Sequence, residues 1–195
     1  MAAKKTKSKP SAKPKASNAS AKKSAPAKTA PAKPAKAASK AKSSSAVIEG
    51  AKAPAFSLGD ETGTAVNSHS LAGKPYVLYF YPKDDTPGCT TEACDFRDNL
   101  RAFNNAKVRV IGVSPDDAKR HAKFKEKYGL TFTLLSDTDK ELVNAYGVWV
   151  EKQNYGRSYM GVERSTFLVD KSGVVKKIWR KVRVAGHVAS VLAAL

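Results

Sequence analysis

Cys89 and Cys94 are the only cysteines in a chain of 195 residues, and both lie in the stretch from Tyr79 to Cys94, YFYPKDDTPGCTTEAC. A strand-like run leads into a Pro87-Gly88 turn, and the pattern predicts a helix that begins at Cys89. A thiol at a helix N-terminus faces unpaired backbone N–H groups and the positive end of the helix dipole, and both favour its thiolate. Lys83 nearby acts in the same direction. The thiolate is a nucleophile, and oxidants convert it to a sulfenic acid that a second thiol can turn into a disulfide. The bland alternative is a small buried cysteine at a helix start.

The spacing constrains the pair. Five residues along an α-helix give a rise of about 7.5 Å and a rotation of about 140°, whereas a disulfide wants Cα atoms about 5.5 Å apart. If Cys89 and Cys94 bond, the first helical turns must unwind. A Cys-x-x-Cys pair bridges without unwinding, which disfavours a general thiol–disulfide oxidoreductase. A metal site is not expected either. Tetrahedral zinc needs a second pair of Cys or His, and His69, His121 and His187 are scattered along the chain.

The elements that must position these thiols read as alternating β and α. Ala55 to Leu58 and Thr64 to Ser68 form short strands about a turn at 59–63. Tyr76 to Tyr81 is continuously apolar or aromatic, like a central strand buried on both faces, and Pro82 ends it. Apolar residues at Ala93, Phe96, Leu100 and Phe103 have helical spacing and predict one helix from Thr90 to Phe103. Val108 to Val113 is a β-branched strand. Ser114 caps a charged helix from Asp116 to Tyr128, and Gly129 ends it. Thr131 to Leu135 is a short strand, and Asp139 to Tyr146 a short helix stopped by Gly147. Ser165 to Val169 and Val174 to Val182 flank a turn at Asp170–Gly173, and His187 to Leu195 forms a last helix. This order argues an α/β sheet with helices on both faces, whose site lies at the carboxyl ends of strands.

Pro82-x-x-x-Thr86-x-x-Cys89, followed by Thr90-Thr91-Glu92-Ala93-Cys94, resembles the active site of the peroxiredoxins. The second cysteine five residues on resembles the bacterioferritin comigratory protein, or peroxiredoxin Q, subfamily. The resemblance continues through YGRSYMGVERSTFLVD (155–170) and Gly186-His187, covering residues 47–195. It implies a thioredoxin fold, with Cys89 as peroxidatic and Cys94 as resolving cysteine, joined by a disulfide on oxidation. It further implies that Thr86 hydrogen-bonds thiolate and peroxide, that Pro82 shields the pocket from water, and that Arg164 stabilises the thiolate and polarises the O–O bond. Glu92 would orient Arg164; as an acid in the first helical turn it could equally serve the dipole alone. The implied activity is a thiol-dependent peroxidase for hydrogen peroxide and organic hydroperoxides. No bound cofactor or metal is implied, thioredoxin or a similar dithiol would recycle the disulfide, and the subfamily leans to a monomer, with a dimer as alternative.

Other residues have plainer readings. His187 is a helix-start or packing residue, Trp149 and Trp179 are core, and Lys119 to Lys127 is a solvated helix face.

Composition divides the chain. Residues 1–45 hold 13 of the 35 basic residues, no acid, no aromatic, and no Leu, Ile or Val. Nothing apolar offsets the entropy of ordering them, so a disordered tail is expected, ahead of one domain at 46–195. The domain keeps 22 basic against 17 acidic residues, a net of +5 within the chain's +18. Such a tail, histone-H1-like in composition, attracts polyanions, but without aromatics it cannot stack on bases, so any nucleic-acid contact would be indifferent to sequence. A chromatin-like DNA-binding protein with a passenger domain is thus a rival reading, and a solubilising or processed leader another. A plastid transit peptide fits less well because the segment lacks Arg. No run of about 18 apolar residues would span a membrane. Two cysteines are no secreted disulfide framework, so the expected location is the cytoplasm, with nucleoid or nuclear association through the tail.

Overall fold

The structure is a computed structural model that describes residues 47–154 and 156–195. The tail at 1–45, the boundary at residue 46 and every reading attached to them lie outside the described residues.

In chain order the strands are β1 (Ser57–Asp60), β2 (Ala65–Asn67), β3 (Tyr76–Phe80), β4 (Arg109–Ser114), β5 (Thr133–Ser136), β6 (Trp149–Asn154), β7 (Arg157–Val162), β8 (Ser165–Val169) and β9 (Val175–Trp179). The helices are α1 (Pro87–Asp98), α2 (Leu100–Asn105), α3 (Ala118–Tyr128), α4 (Glu141–Ala145) and α5 (His187–Leu192). Seven strands form one sheet in the order β2-β1-β5-β4-β3-β8-β9, and β6 pairs only with β7.

All of β3 is buried. Successive side chains of a strand point to opposite faces. Tyr76, Leu78 and Phe80 enter a core with Leu142, Val143, Tyr146 and Phe167. Val77 and Tyr79 enter a second core with Phe96, Phe103, Phe124 and Val188. A strand covered on both sides has no polar face to present, hence its unbroken apolar sequence. Each such side chain contributes about 1.5–3 kcal/mol on full burial. The ring of Tyr79 stacks on Phe96 with centroids 4.6 Å apart, which seats α1 on β3. Because β3, β4 and β5 run parallel, the segments that follow β3 and β4 emerge at the same edge of the sheet. The layered α/β sheet expected from the element order is what forms.

Several boundaries differ from expectation. β1 extends through Gly59 and Asp60, which were read as a turn, because those residues pair with Ser136 and Leu135 of β5. The helix expected over 90–103 is two helices, interrupted at Asn99, whose Nδ2 donates to the Asp95 carbonyl at 2.9 Å. Phe96 and Phe103 still reach the same core. Helix α3 starts at Ala118 and is capped by Asp117, whose side chain accepts from Arg120 N at 2.9 Å; Ser114 instead accepts from Asp116 N at 3.1 Å. Helix α4 starts only at Glu141, where Asp137 takes up the N–H groups of Leu142 and Val143. β9 stops at Trp179 and α5 at Leu192. Trp149 and Trp179 pack on the margins of the two cores rather than inside them, each with a lysine over its ring. The β6–β7 hairpin was not anticipated. Its strands are largely polar, and Tyr159 and Met160 are half exposed.

Candidate active site

The segment between β3 and α1 ends in Thr86, an extended residue (φ −97, ψ 148) at the N-cap of α1. Pro87 follows at the first helical position, where it has no N–H to waste and its fixed φ suits the helix. The helix therefore begins two residues before Cys89, not at it. Cys89 still lies in the first turn, because the first helical bond runs from Thr90 N to Thr86 O at 2.8 Å. The N–H groups of Gly88 and Cys89 precede it and have no intrahelical acceptor.

Cys89 is 2 % exposed and shares the core with Tyr79, Tyr81, Ala93 and Phe96. Cys94 is half-buried further along the same helix, and both thiols are free. The cation at the sulfur is Arg164, from the short link between β7 and β8. Its Nη2 donates to Cys89 Sγ at 3.2 Å. Its Nη1 pairs with Glu92 Oε2. Its carbonyl accepts from Val182 N at 2.9 Å, which pins the backbone. A Cβ on Gly88 would stand 3.3 Å from Arg164 Nη2, so the bare glycine leaves room for the guanidinium. Lys83 is exposed and makes no hydrogen bond to the sulfur.

Glu92 lies in the second turn of α1, so the alternative role of a first-turn acid does not apply. Its side chain is fully buried. Burial pushes the carboxyl up to about 7, against the pull of Arg164. Its other oxygen, Oε1, is enclosed and has no partner among the described residues. Burial works against the charge of Arg164, but Glu92 and Cys89 outweigh it and hold the guanidinium's pKa above its ordinary value. Thr86 Oγ1 donates to the Lys83 carbonyl at 3.1 Å and does not touch the sulfur. Pro82 is partly buried just past β3. The fold thus brings Cys89, Glu92 and Arg164 into contact, and sets Pro82 and Thr86 on the loop leading to them.

Two groups near the site escaped the sequence reading. Lys152 on β6 donates to the Val162 carbonyl at 2.6 Å. Burial and then the charge of Arg164 hold its pKa down, and the field of Cys89 opposes them. With the hairpin unassigned, nothing in the sequence could have placed it. The other group, Asp84 with His121, lies behind the loop. His187 is a packing residue: it is buried, meets Thr166 Oγ1 at 2.8 Å through Nε2, and stands edge-on to Phe96 and Trp179. Burial and the charge of Arg164 lower its pKa to about 4.

A buried sulfur in the first turn of a helix, with a guanidinium at hydrogen-bond distance, is placed where negative charge is met by donors. The same donors can meet negative charge developing on an atom that the sulfur attacks. Residues 50–178 match the AhpC/TSA family, a span that includes Cys89, Glu92, Cys94 and Arg164. Peroxiredoxin Bcp of Bacillus subtilis is 53% identical over 146 residues, covering 75% of this chain and 93% of that protein. The Xanthomonas campestris bacterioferritin comigratory protein, whose structures concern its alkyl peroxide reduction activity, is 47% identical with a TM-score of 0.69, covering 71% of this chain and 88% of that one. A cysteine mutant of Xylella fastidiosa PrxQ superposes with a TM-score of 0.73 at 37% identity, covering 77% of this chain and 96% of that one. The sheet and its helices are accordingly a thioredoxin-like fold, and the chain belongs to the AhpC/TSA family, among the Bcp/PrxQ peroxiredoxins, which are thiol-dependent peroxidases.

Proposed function

We propose that Cys89 is the peroxidatic cysteine and Cys94 the resolving one, acting on hydrogen peroxide and organic hydroperoxides. The observation that carries this is Arg164 Nη2 at 3.2 Å from Cys89 Sγ. The Cys89 thiolate attacks the distal peroxide oxygen. The S–O bond forms, the O–O bond breaks, and the leaving oxygen takes a proton to depart as water or an alcohol. Arg164, the first-turn N–H groups and the Thr86 hydroxyl, once turned from the Lys83 carbonyl, meet the charge that builds on the oxygens. Pro82 keeps water from the sulfur. Glu92 holds the guanidinium in line.

Cys94 then attacks the sulfenic sulfur, forming the S–S bond and releasing water. Both cysteines sit on one continuous helix, so this step needs α1 to unwind at its start. Thioredoxin or a similar dithiol reduces the disulfide and is itself oxidised. The alkyl peroxide activity of the Xanthomonas relative supports the organic substrates. A protein that works as a monomer suffices for this cycle, because both thiols belong to one helix.

One equivalent of hydrogen peroxide should give an intramolecular Cys89–Cys94 disulfide, read by mass spectrometry, and faster amide exchange over 87–98. Cys89→Ser should lose peroxide reduction entirely, and Cys94→Ser should consume one equivalent and stall. A disulfide-linked dimer as main product, or turnover in Cys89→Ser, would reject these roles.

The 13 lysines of residues 1–45 support a second role, non-specific contact with nucleic acid. Full-length protein should bind duplex DNA with a log–log salt slope of about −5 to −6, if half the lysines meet phosphates. Protein lacking 1–45 should lose that binding and keep its peroxidase activity. Equal binding by both would end this reading.

A further inference from the structure

The loop that carries Pro82 and Thr86 is fastened to α3 by two residues outside the peroxidase motif. Asp84 is 3 % exposed yet carries a carboxyl group. Its Oδ1 accepts from the Tyr81 hydroxyl at 2.7 Å, and its Oδ2 faces His121 Nδ1 at 2.7 Å. His121, on α3, is fully buried, and its Nε2 meets the Leu135 carbonyl of β5 at 3.2 Å. A carbonyl only accepts, so Nε2 carries a hydrogen, and one further proton lies between Nδ1 and the carboxylate. Every side-chain polar atom of the pair is satisfied. The backbone is held as well: Asp84 N donates at 2.7 Å to Asp116 Oδ2, which also accepts from the Ser114 hydroxyl, while Arg120 pairs with Asp116 Oδ1. Asp85 adopts a left-handed backbone (φ 57) that a side chain avoids without support. Its carboxylate is bound by Lys127 Nζ at 2.8 and 2.9 Å and by the Tyr128 hydroxyl at 2.5 Å.

We propose that Asp84 and His121 are positioning residues for peroxide reduction, bracing the 82–86 loop against α3 so that Thr86 and Pro82 stand correctly over Cys89. This rests on the roles proposed above for those two residues. A buried polar network is an expensive way to stabilise a core, and a purely apolar contact would serve folding as well. Here it leads from α3 to the loop that opens α1, and it constrains both side chain and backbone of one residue.

The two ring nitrogens make the test specific. Asn at position 121 places an amide donor near the place of Nδ1, and Gln places one near Nε2. His121→Asn therefore keeps the bond to Asp84 and loses that to Leu135; His121→Gln does the reverse. Each leaves one buried acceptor unmet, so both should lose thermal stability, His121→Gln more because its unmet acceptor is the Asp84 carboxylate. In a Cys94→Ser background, where Cys89 is the sole thiol, single-turnover rates with hydrogen peroxide should be about tenfold lower for His121→Gln than for His121→Asn, the scale of one charge-assisted hydrogen bond. Alkylation of Cys89 by iodoacetamide, which needs no aligned Thr86, should not separate the two. Tyr81→Phe, which removes one bond to Asp84 and conserves volume, should slow peroxide severalfold with alkylation unmoved, and it serves if a His121 variant fails to fold. Parallel peroxide rates in the Asn and Gln variants, or a Tyr81→Phe rate equal to that of its parent, would overturn the proposal. Loss of peroxide reactivity in the parent itself would instead strike the roles assigned to Cys89.

Discussion

Two acid–base pairs, one fully buried and one partly, lie by the loop from Tyr81 to Thr86, and they are built to different standards. Asp84 and His121 are completely hydrogen-bonded and do not touch the sulfur. In the second pair Arg164 touches it, and one oxygen of Glu92 has no partner among the described residues. A satisfied pair in a dry interior is rigid. An under-satisfied one is costly to keep charged, and in Glu92 burial raises the carboxyl to about 7 against the pull of Arg164. The first pair suits a brace. The second suits a group whose charge must be shared with a changing neighbour, because Arg164 divides its donors between Glu92 and Cys89.

The comparison breaks most visibly at Arg164. Arg164→Ala should slow the reaction of Cys89 with hydrogen peroxide by about 10²- to 10³-fold, the usual loss when a donor to developing negative charge is removed. Arg164→Lys should recover only part, since an ammonium cannot bridge two partners as a planar fork does. Stopped-flow tryptophan fluorescence reads both. A loss no greater than that of His121→Gln would show that the two pairs do not differ in kind.

Glu92→Gln sharpens it through pH. The folded-state pKa of Glu92 lies above its unfolded value, so its favourable contribution is complete below about 4.5 and is lost as pH rises to about 7. His187 is the opposite case. Its folded-state pKa is lowered to about 4, so its contribution is complete above about 6.5 and is lost as pH falls toward 4. Between these limits the two oppose each other, and the wild-type midpoint in urea should change little from this pair. In Glu92→Gln only the His187 slope remains, so the midpoint should rise between pH 4.5 and 6.5 relative to wild type. Identical pH profiles for variant and parent would mean that Glu92 does not titrate in this window.

Gly88→Ala is the gentlest probe. The new methyl would stand 3.3 Å from Arg164 Nη2, tight enough to displace the guanidinium by a few tenths of an ångström. Stability should change by less than about 0.5 kcal/mol, because no core contact is removed. The peroxide rate should fall severalfold, and a rate equal to that of wild type would show that the Arg164–Cys89 distance is not critical.

Much of this molecule is legible in its residues, and the limits are instructive. The central strand β3 is unmistakable, because a strand buried on both faces must be apolar throughout. The turn at Asp170–Gly173 is equally clear, since its Asp side chain and positive-φ Gly define it locally. The two thiols and the residues that resemble a known motif around them follow from type and spacing alone. The break at Asn99 was not legible, because Phe96 and Phe103 keep helical spacing on either side of it. Nor was the β6–β7 hairpin, whose polar strands pair with each other and with no strand of the main sheet. Residue type and spacing do not say which charges meet: the motif resemblance implied Arg164 at Cys89 and Glu92 at Arg164, and the tertiary structure alone decided that Asp84 meets His121. Arg164 lies 75 residues from Cys89, Glu92 72 residues from Arg164, and His121 37 residues from Asp84. Local propensity fixes which face of a helix or strand a side chain leaves from. Only the packing of β3 against β4 and β8, with α1 and α3 laid over one face, determines which charge it meets there and whether water can reach the pair.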